Sequence, residues 1–223
     1  MKDSPSRLAA VRVLVMDVDG VLTDGGIYYT ERGDELKRFD VRDGQGLVLL
    51  RQAGVLTAVI TRRRSEIVER RADELGIVEV HQGATDKRAV LESLLARRGV
   101  PAAEAVYVGD DIGDLPAMRL VGFPVAVADA VPPVKGAAAY ITQASPGHGA
   151  IRELCDLILS AKGKLPPSSD EHREDRARVH VKDAASAARR TRRPGAKQST
   201  VESATPRRSA PKPTTKNPRR RRS

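Results

Sequence analysis

Two aspartates stand one residue apart at Asp17 and Asp19, followed by Gly20 and, a little further on, Thr23 and Asp24. Two carboxylates held that close repel each other, so the pair calls for a cation or a shared proton. Alternation along an extended chain puts both side chains on one side. Further along, Thr61 follows an apolar run, Lys87 opens a helical pattern, and Asp110, Asp111 and Asp114 cluster after another apolar run. These are carboxylates, one hydroxyl and one amine. The four histidines are scattered and there is a single cysteine, so neither a Ser-His-Asp set nor a Cys/His metal site is expected. A carboxylate-only set favours a hard, oxygen-loving cation, above all Mg²⁺. A metal and an ammonium offset the charge of a phosphate, a hydroxyl and backbone N–H groups donate to it, and a neighbouring carboxylate can attack phosphorus. Taken alone, the first pair is equally compatible with an Asp-rich turn after a strand.

The elements that carry these residues decide between those readings. Val11 to Met16 reads as a buried strand ending at Asp17. Val55 to Ile60 is a second strand ending at Thr61, Ile77 to Val80 a third, and Ala105 to Val108 a fourth ending at Gly109-Asp110-Asp111. Pro124 to Ala128 and Ala138 to Thr142 add a fifth and a short sixth. Helical patterns separate them at Leu47–Gln52, Ser65–Leu75, Thr85 to about Arg98, a short stretch from Asp114, and Gly149–Ser160. This alternation implies an α/β fold, a Rossmann-like three-layer arrangement around a parallel sheet. In such a sheet the strand ends lie on one edge, where ligands bind, and distant residues converge there. Two short strand-like runs within residues 27–39, around Glu31-Arg32-Gly33-Asp34, read as a β-hairpin flap.

Charge divides the chain. Residues 1–161 hold 20 basic and 23 acidic residues, a net of −3, whereas residues 162–223 hold 19 and 6, a net of +13. The expected organisation is therefore a folded domain over 1–161 and a basic, disordered tail over 162–223. The tail's natural partner would be nucleic acid or an acidic surface, and a merely solubilising extension is the plainer alternative. The lone Cys155 sits in an apolar helical pattern and reads as a buried thiol. Met1 to Ala10 lack the apolar core of a signal peptide, and no apolar run approaches the length of a membrane span. A cytoplasmic location is the default expectation.

Asp17-Val18-Asp19-Gly20, Thr61, Lys87 and Gly109-Asp110-Asp111-Ile112-Gly113-Asp114 resemble, in order and spacing, the four motifs of the haloacid dehalogenase superfamily of phosphohydrolases. Longer strings resemble its 3-deoxy-D-manno-octulosonate 8-phosphate phosphatase family: residues 17–25, Glu35 to Phe39, Val41 to Gly44, Gln82-Gly83 with Asp86-Lys87, Val125 to Ala130, and Gly149 to Leu157. The likeness spans about residues 10–160 and omits the tail. It implies Asp17 as nucleophile and Mg²⁺ ligand, and Asp19 as general acid/base that ligates through its backbone carbonyl. Asp110 is implied as a further ligand, Thr61 and Lys87 as holders of the phosphoryl group, and Asp111 and Asp114 as support of the metal site. Asp114 can alternatively cap the following helix. Arg42, Arg63 and Arg71 match positions that would meet an anionic substrate.

Spacing adds an inference independent of the resemblance. Only 36 residues separate Asp24 from Thr61, and 25 separate Thr61 from Lys87. Both gaps are filled by the hairpin and helices, so the fold is expected to be capless, its site open unless another subunit covers it. The resemblance implies a homotetramer formed through the hairpin. One departure stands out: Arg62 follows Thr61 where the family has glycine, and it can crowd the site, contact phosphate or point outward. The expected activity is Mg²⁺-dependent hydrolysis of 3-deoxy-D-manno-octulosonate 8-phosphate through an aspartyl-phosphate. One alternative substrate is a nonulosonate 9-phosphate. An alternative of another class is a non-catalytic binding protein that engages nucleic acid through its basic tail. Retention of both Asp17 and Asp19 speaks against that last reading.

Overall fold

The computed structural model describes residues 4–165. The expectations for the tail lie outside the described residues, apart from its first four positions. In chain order the elements are α1 (Ser4–Ala9), β1 (Val13–Met16), β2 (Tyr28–Tyr29), β3 (Glu35–Leu36), α2 (Val41–Gln52), β4 (Leu56–Thr61), α3 (Glu66–Leu75), β5 (Glu79–Gln82), α4 (Lys87–Arg98), β6 (Ala105–Gly109), α5 (Leu115–Met118), β7 (Phe123–Ala126), α6 (Pro132–Ala137), β8 (Tyr140–Ile141) and α7 (Ala150–Ala161). Six strands form one parallel sheet in the order β5-β4-β1-β6-β7-β8. Central strand β1 is wholly buried, which is why its sequence is an unbroken apolar run.

The chain steps outward from β1 to β4 and β5, then returns to β6 on the other side and continues to β7 and β8. Right-handed crossovers therefore place α2 and α3 on one face and α4, α5 and α6 on the other. The packing agrees: α2 lies on α7, α7 on α1, and α3 on α2, while α4 meets α5 and α5 meets α6. The reversal of direction at β1 opens a crevice at the carboxyl ends of β4, β1 and β6. Met16 is in register with Val59 and Val108, so Asp17, Thr61 and Asp110 leave the sheet at nearly one level. β2 and β3 pair antiparallel as a short hairpin outside the sheet, anchored at its base by a bridge between Thr23 and Phe39.

Three sequence expectations need adjustment. Helix α2 starts at Val41, not Leu47, capped by Asp40, whose side chain accepts from Arg42 N. Gly44 and Gly46 lie inside it because a Cβ at Gly44 would run into Arg71, and one at Gly46 would press on Cys155 of α7. Close packing outweighs local helix propensity there. Strand β5 begins at Glu79, two residues later than read from Ile77, because Ile77 N is still bonded to Ala72 O in closing α3. Helix α6 was not read at all; it starts on Pro132-Pro133, where the missing N–H groups cost nothing.

Candidate active site

At the carboxyl edge of the sheet an open cleft of ≈ 240 Å³ is lined by Asp17, Asp19, Thr61, Arg62, Arg63, Lys87, Asp110, Asp111, Gly113 and Asp114. Eight of the ten residues singled out from sequence as a phosphatase site thus meet in one place, Arg63 alone among the three arginines. Thr61 ends β4 and is buried. Arg62 is exposed on the cleft wall, so it does not crowd the interior. Arg42 and Arg71 are elsewhere. Arg42 is mostly exposed, pairs with Asp40 at 2.9 Å and donates to His148 O, whereas Arg71 pairs with Glu74 and lies over the Phe39 ring.

Carboxylate oxygens of Asp17, Asp110 and Asp114 lie within 4.8 Å of one another. One ammonium serves them: Lys87 Nζ donates to Asp17 Oδ2 at 2.6 Å and to Asp114 Oδ1 at 2.7 Å. Lys87 is the first residue of α4, fixed by the Asp86 cap, whose side chain accepts from Ala89 N. Asp17 Oδ1 accepts from Val18 N at 2.7 Å. Asp114 is saturated. Besides Lys87 it accepts from the Tyr107 hydroxyl at 2.9 Å, and its Oδ2 accepts from the N–H groups of Asp110 (3.1 Å) and Asp111 (3.4 Å). It does not cap α5; Asp111 instead caps the preceding 3₁₀ turn, Ile112–Asp114, through Ile112 N. The Asp110 carboxylate accepts no hydrogen bond among the described residues, and it packs on Gly20. A Cβ at Gly20, whose φ is +82°, would collide with it.

Three carboxylates against one ammonium leave two negative charges in a largely buried cluster. The titration behaviour follows from that excess. Burial first, then the charges of Asp114 and Asp17, push Asp110 up to about 7. Burial and Asp114 likewise raise Asp17 despite the opposing pull of Lys87. Burial alone would lower Lys87, but Asp17 and Asp114 outweigh it and the ammonium stays charged. Burial and Asp114 raise the Tyr107 phenol well above its ordinary value, so it remains a donor. A net charge of −2 carried by oxygen ligands suits one small divalent cation, and Mg²⁺ is the hard ion that fits.

Asp19 belongs to a second group. Its Oδ1 meets Lys37 Nζ, and its Oδ2 lies 3.9 Å from Arg63 Nε. Glu35 Oε1 closes the circuit, 3.4 Å from Lys37 and 2.5 Å from Arg63. Burial alone would raise Glu35, but the Ser65 hydrogen bond and the charges of Lys37 and Arg63 hold it below its ordinary value. Lys37, Glu35 and Tyr107 were not singled out from sequence as site residues. Glu35 and Lys37 carried one available signal, the two-residue spacing that puts strand side chains on one face. Tyr107, inside an apolar strand, carried none.

A parallel sheet whose carboxyl edge gathers carboxylates, a threonine and a lysine around a divalent-cation site defines a metal-dependent phosphohydrolase of the haloacid dehalogenase type. The family model for haloacid dehalogenase-like hydrolases matches residues 51–154. The 3-deoxy-D-manno-octulosonate 8-phosphate phosphatase of Yersinia pestis is 46% identical over 163 residues, covering 73% of this chain and 87% of that one. Its counterpart in Escherichia coli K12 is 45% identical over 155 residues, 70% of this chain and 82% of that one. The crystal structure of the Moraxella catarrhalis phosphatase of the same name, in complex with magnesium, phosphate and a KDO molecule, superposes with a TM-score of 0.73 at 41% identity, covering 74% of this chain and 95% of that one. The chain belongs to the 3-deoxy-D-manno-octulosonate 8-phosphate phosphatase family of the haloacid dehalogenase superfamily. It is a phosphoric monoester hydrolase, and its cofactor is Mg²⁺.

Proposed function

We propose that the protein hydrolyses 3-deoxy-D-manno-octulosonate 8-phosphate to the free sugar acid and phosphate, with Asp17 as nucleophile and Asp19 as general acid/base. The observation that carries the reading is the buried cluster of Asp17, Asp110 and Asp114 around Lys87, open to a cleft that also holds Thr61 and Asp19. The substrate rests on relatives of that name matched over more than four fifths of their length.

Asp17 is aimed by Val18 N and Lys87, so one of its oxygens is held ready for in-line attack on phosphorus. Asp19 protonates the departing sugar oxygen, then takes a proton from the water that cleaves the aspartyl-phosphate. Thr61 donates to the phosphoryl oxygens. Lys87 balances charge on the nucleophile's side. Asp17, the Asp19 backbone carbonyl and Asp110 would hold Mg²⁺. Asp110 is the carboxylate left without a donor, whereas Asp114 is committed to four donors and serves as scaffold, with Asp111 shaping the loop beside it. When bound, Mg²⁺ neutralises the cluster and the incoming phosphoryl charge. Arg63, on the cleft wall, is the arginine placed to meet the anionic substrate.

The catalytic unit is read as residues 1–161, with 162–223 a compositionally distinct basic extension, a solubilising segment in the plainest reading. Ile27, Tyr28, Tyr29 and Leu36 of the hairpin are exposed apolar side chains, which suits burial in a homotetramer; sedimentation at several concentrations tests that. Among the described residues no helix is long and apolar enough to cross a membrane, and a cytoplasmic enzyme is the reading we adopt. The decisive assay is phosphate release from a panel of sugar phosphates with Mg²⁺ or EDTA, for wild type and Asp17→Asn. Release from the octulosonate 8-phosphate that is lost with EDTA and in Asp17→Asn is expected. Release from a nonulosonate 9-phosphate instead would change the substrate. A folded wild type that releases phosphate from none would sink the reading.

A further inference from the structure

Asp17 and Asp114 are each fixed by backbone N–H groups as well as by Lys87. Asp19 differs: no backbone N–H donates to its carboxylate among the described residues, and its contacts come from two side chains, Lys37 and Arg63. Arg63 is more distant, at 3.9 Å, and about a third exposed. Lys37 is the close partner, and its side chain is only 2% exposed. It arrives from the hairpin, on the same side of the strand as Glu35, while Leu36 between them faces outward. Glu35 holds both Lys37 and Arg63, so two acids and two cations close into a ring. A proton donor works only within hydrogen-bond reach of the leaving oxygen and at the right angle. In this protein the close contact to the Asp19 carboxylate comes from a hairpin residue.

We propose that Lys37 is a positioning residue for the general acid/base: its ammonium, locked by Glu35, holds the Asp19 carboxylate toward the leaving-group side of the cleft. The hairpin, whose outer face is apolar, would then serve its own active site with its inner face. This rests on the phosphatase reading above. Lys37 is buried behind Asp19, so it acts through Asp19 and not on the substrate directly.

The test compares leaving groups. A sugar alkoxide must be protonated as it departs, whereas p-nitrophenolate leaves with little help. In Lys37→Met, kcat on the preferred sugar phosphate is expected to fall about 100-fold, and kcat on p-nitrophenyl phosphate less than about threefold. KM for the sugar phosphate and Mg²⁺ affinity by calorimetry should stay within about threefold of wild type, because neither contact involves Lys37. Lys37→Arg, which restores a cation, should recover most of the loss. Equal losses on both substrates, no loss on either, or a rise in KM with kcat intact would each overturn the proposal. Should Lys37→Met lack a cooperative melt, Glu35→Gln takes its place: the same selective loss, smaller, supports the proposal, and equal losses or none overturn it. A wild type inactive on both substrates with Mg²⁺ overturns the phosphatase reading and this role together, which separates that failure from failure of the positioning role alone.

Discussion

Lys87 pairs with Asp17 and Asp114, with the Asp110 carboxylate beside them, whereas Asp19 and Glu35 meet two cations, Lys37 and Arg63. The first group hangs on strand ends and on α4, deep in the sheet edge. The second hangs on a two-stranded hairpin and the loop after β4. Electrostatics follows architecture. The strand-end group would carry −2 when fully ionised, and burial with that excess raises its carboxyls, while the hairpin group is neutral as a set and Glu35 is held low. On the proposed reading the uncompensated centre takes the cation and the balanced one aims a carboxylate. In the proposed mechanism the Asp19 side chain stays with the balanced group while only its backbone carbonyl meets the metal, although it lies two residues from the nucleophile.

The largest expected contrast comes from removing the lysine of the strand-end centre. Lys87→Met leaves buried carboxylates without their cation and should cost about 3–5 kcal/mol of stability, read as a lower melting temperature in EDTA that Mg²⁺ partly restores. Equal melting with and without Mg²⁺ would show that the charge excess does not govern this centre.

Next in size is pH. Native Asp110 titrates at about 7, well above an unfolded aspartate near 4. Between those values the metal-free native state holds a proton that the unfolded chain has released, so its stability is greatest below about pH 4 on this account and falls as pH rises to about 7. Mg²⁺ needs the carboxylate, so its affinity should climb over the same window and level off above it. Melts in EDTA and calorimetric titrations of Mg²⁺ at stepped pH check both signs, and a flat affinity would contradict them.

Tyr107→Phe comes third. It removes one donor to Asp114 and leaves three, so a loss of about 1–2 kcal/mol is expected, with Mg²⁺ affinity lowered less than about tenfold. An unchanged melt would mean that the hydroxyl contributes nothing to the scaffold. Smallest is Arg42→Ala: its exposed guanidinium pairs with Asp40 away from the cleft, so the change should alter kcat/KM less than about twofold and barely move the melt. A large rise in KM would place Arg42 on the substrate after all, for instance through a neighbouring subunit.

Much of this was legible in the chain. Asp17, Thr61 and Asp110 each follow a mostly apolar run, and parallel strands carry such residues to one edge whatever their separation in sequence. Lys87 was legible as the residue that opens a helical pattern. The start of α2 was not, because Gly44 and Gly46 weaken the local signal and are explained only by the approach of Arg71 and Cys155. Arg42 and Arg71 illustrate the opposite limit: arginine near a motif says nothing about where its long side chain ends. Lys37 and Tyr107 were passed over because a pairing between a hairpin lysine and a strand-end aspartate, or a phenol inside an apolar strand, leaves no periodic trace. The hairpin itself was visible from its turn, but not which of its faces meets the cleft.

The claim that the uncompensated strand-end centre, and not the balanced hairpin group, takes the metal is tested most directly by titrating Mg²⁺ into wild type, Asp110→Asn and Lys37→Met by isothermal calorimetry. One Mg²⁺ per chain in wild type and in Lys37→Met, with binding abolished or weakened at least about 100-fold in Asp110→Asn, is the expected result. Undiminished binding in Asp110→Asn, or its loss in a folded Lys37→Met, would contradict the account.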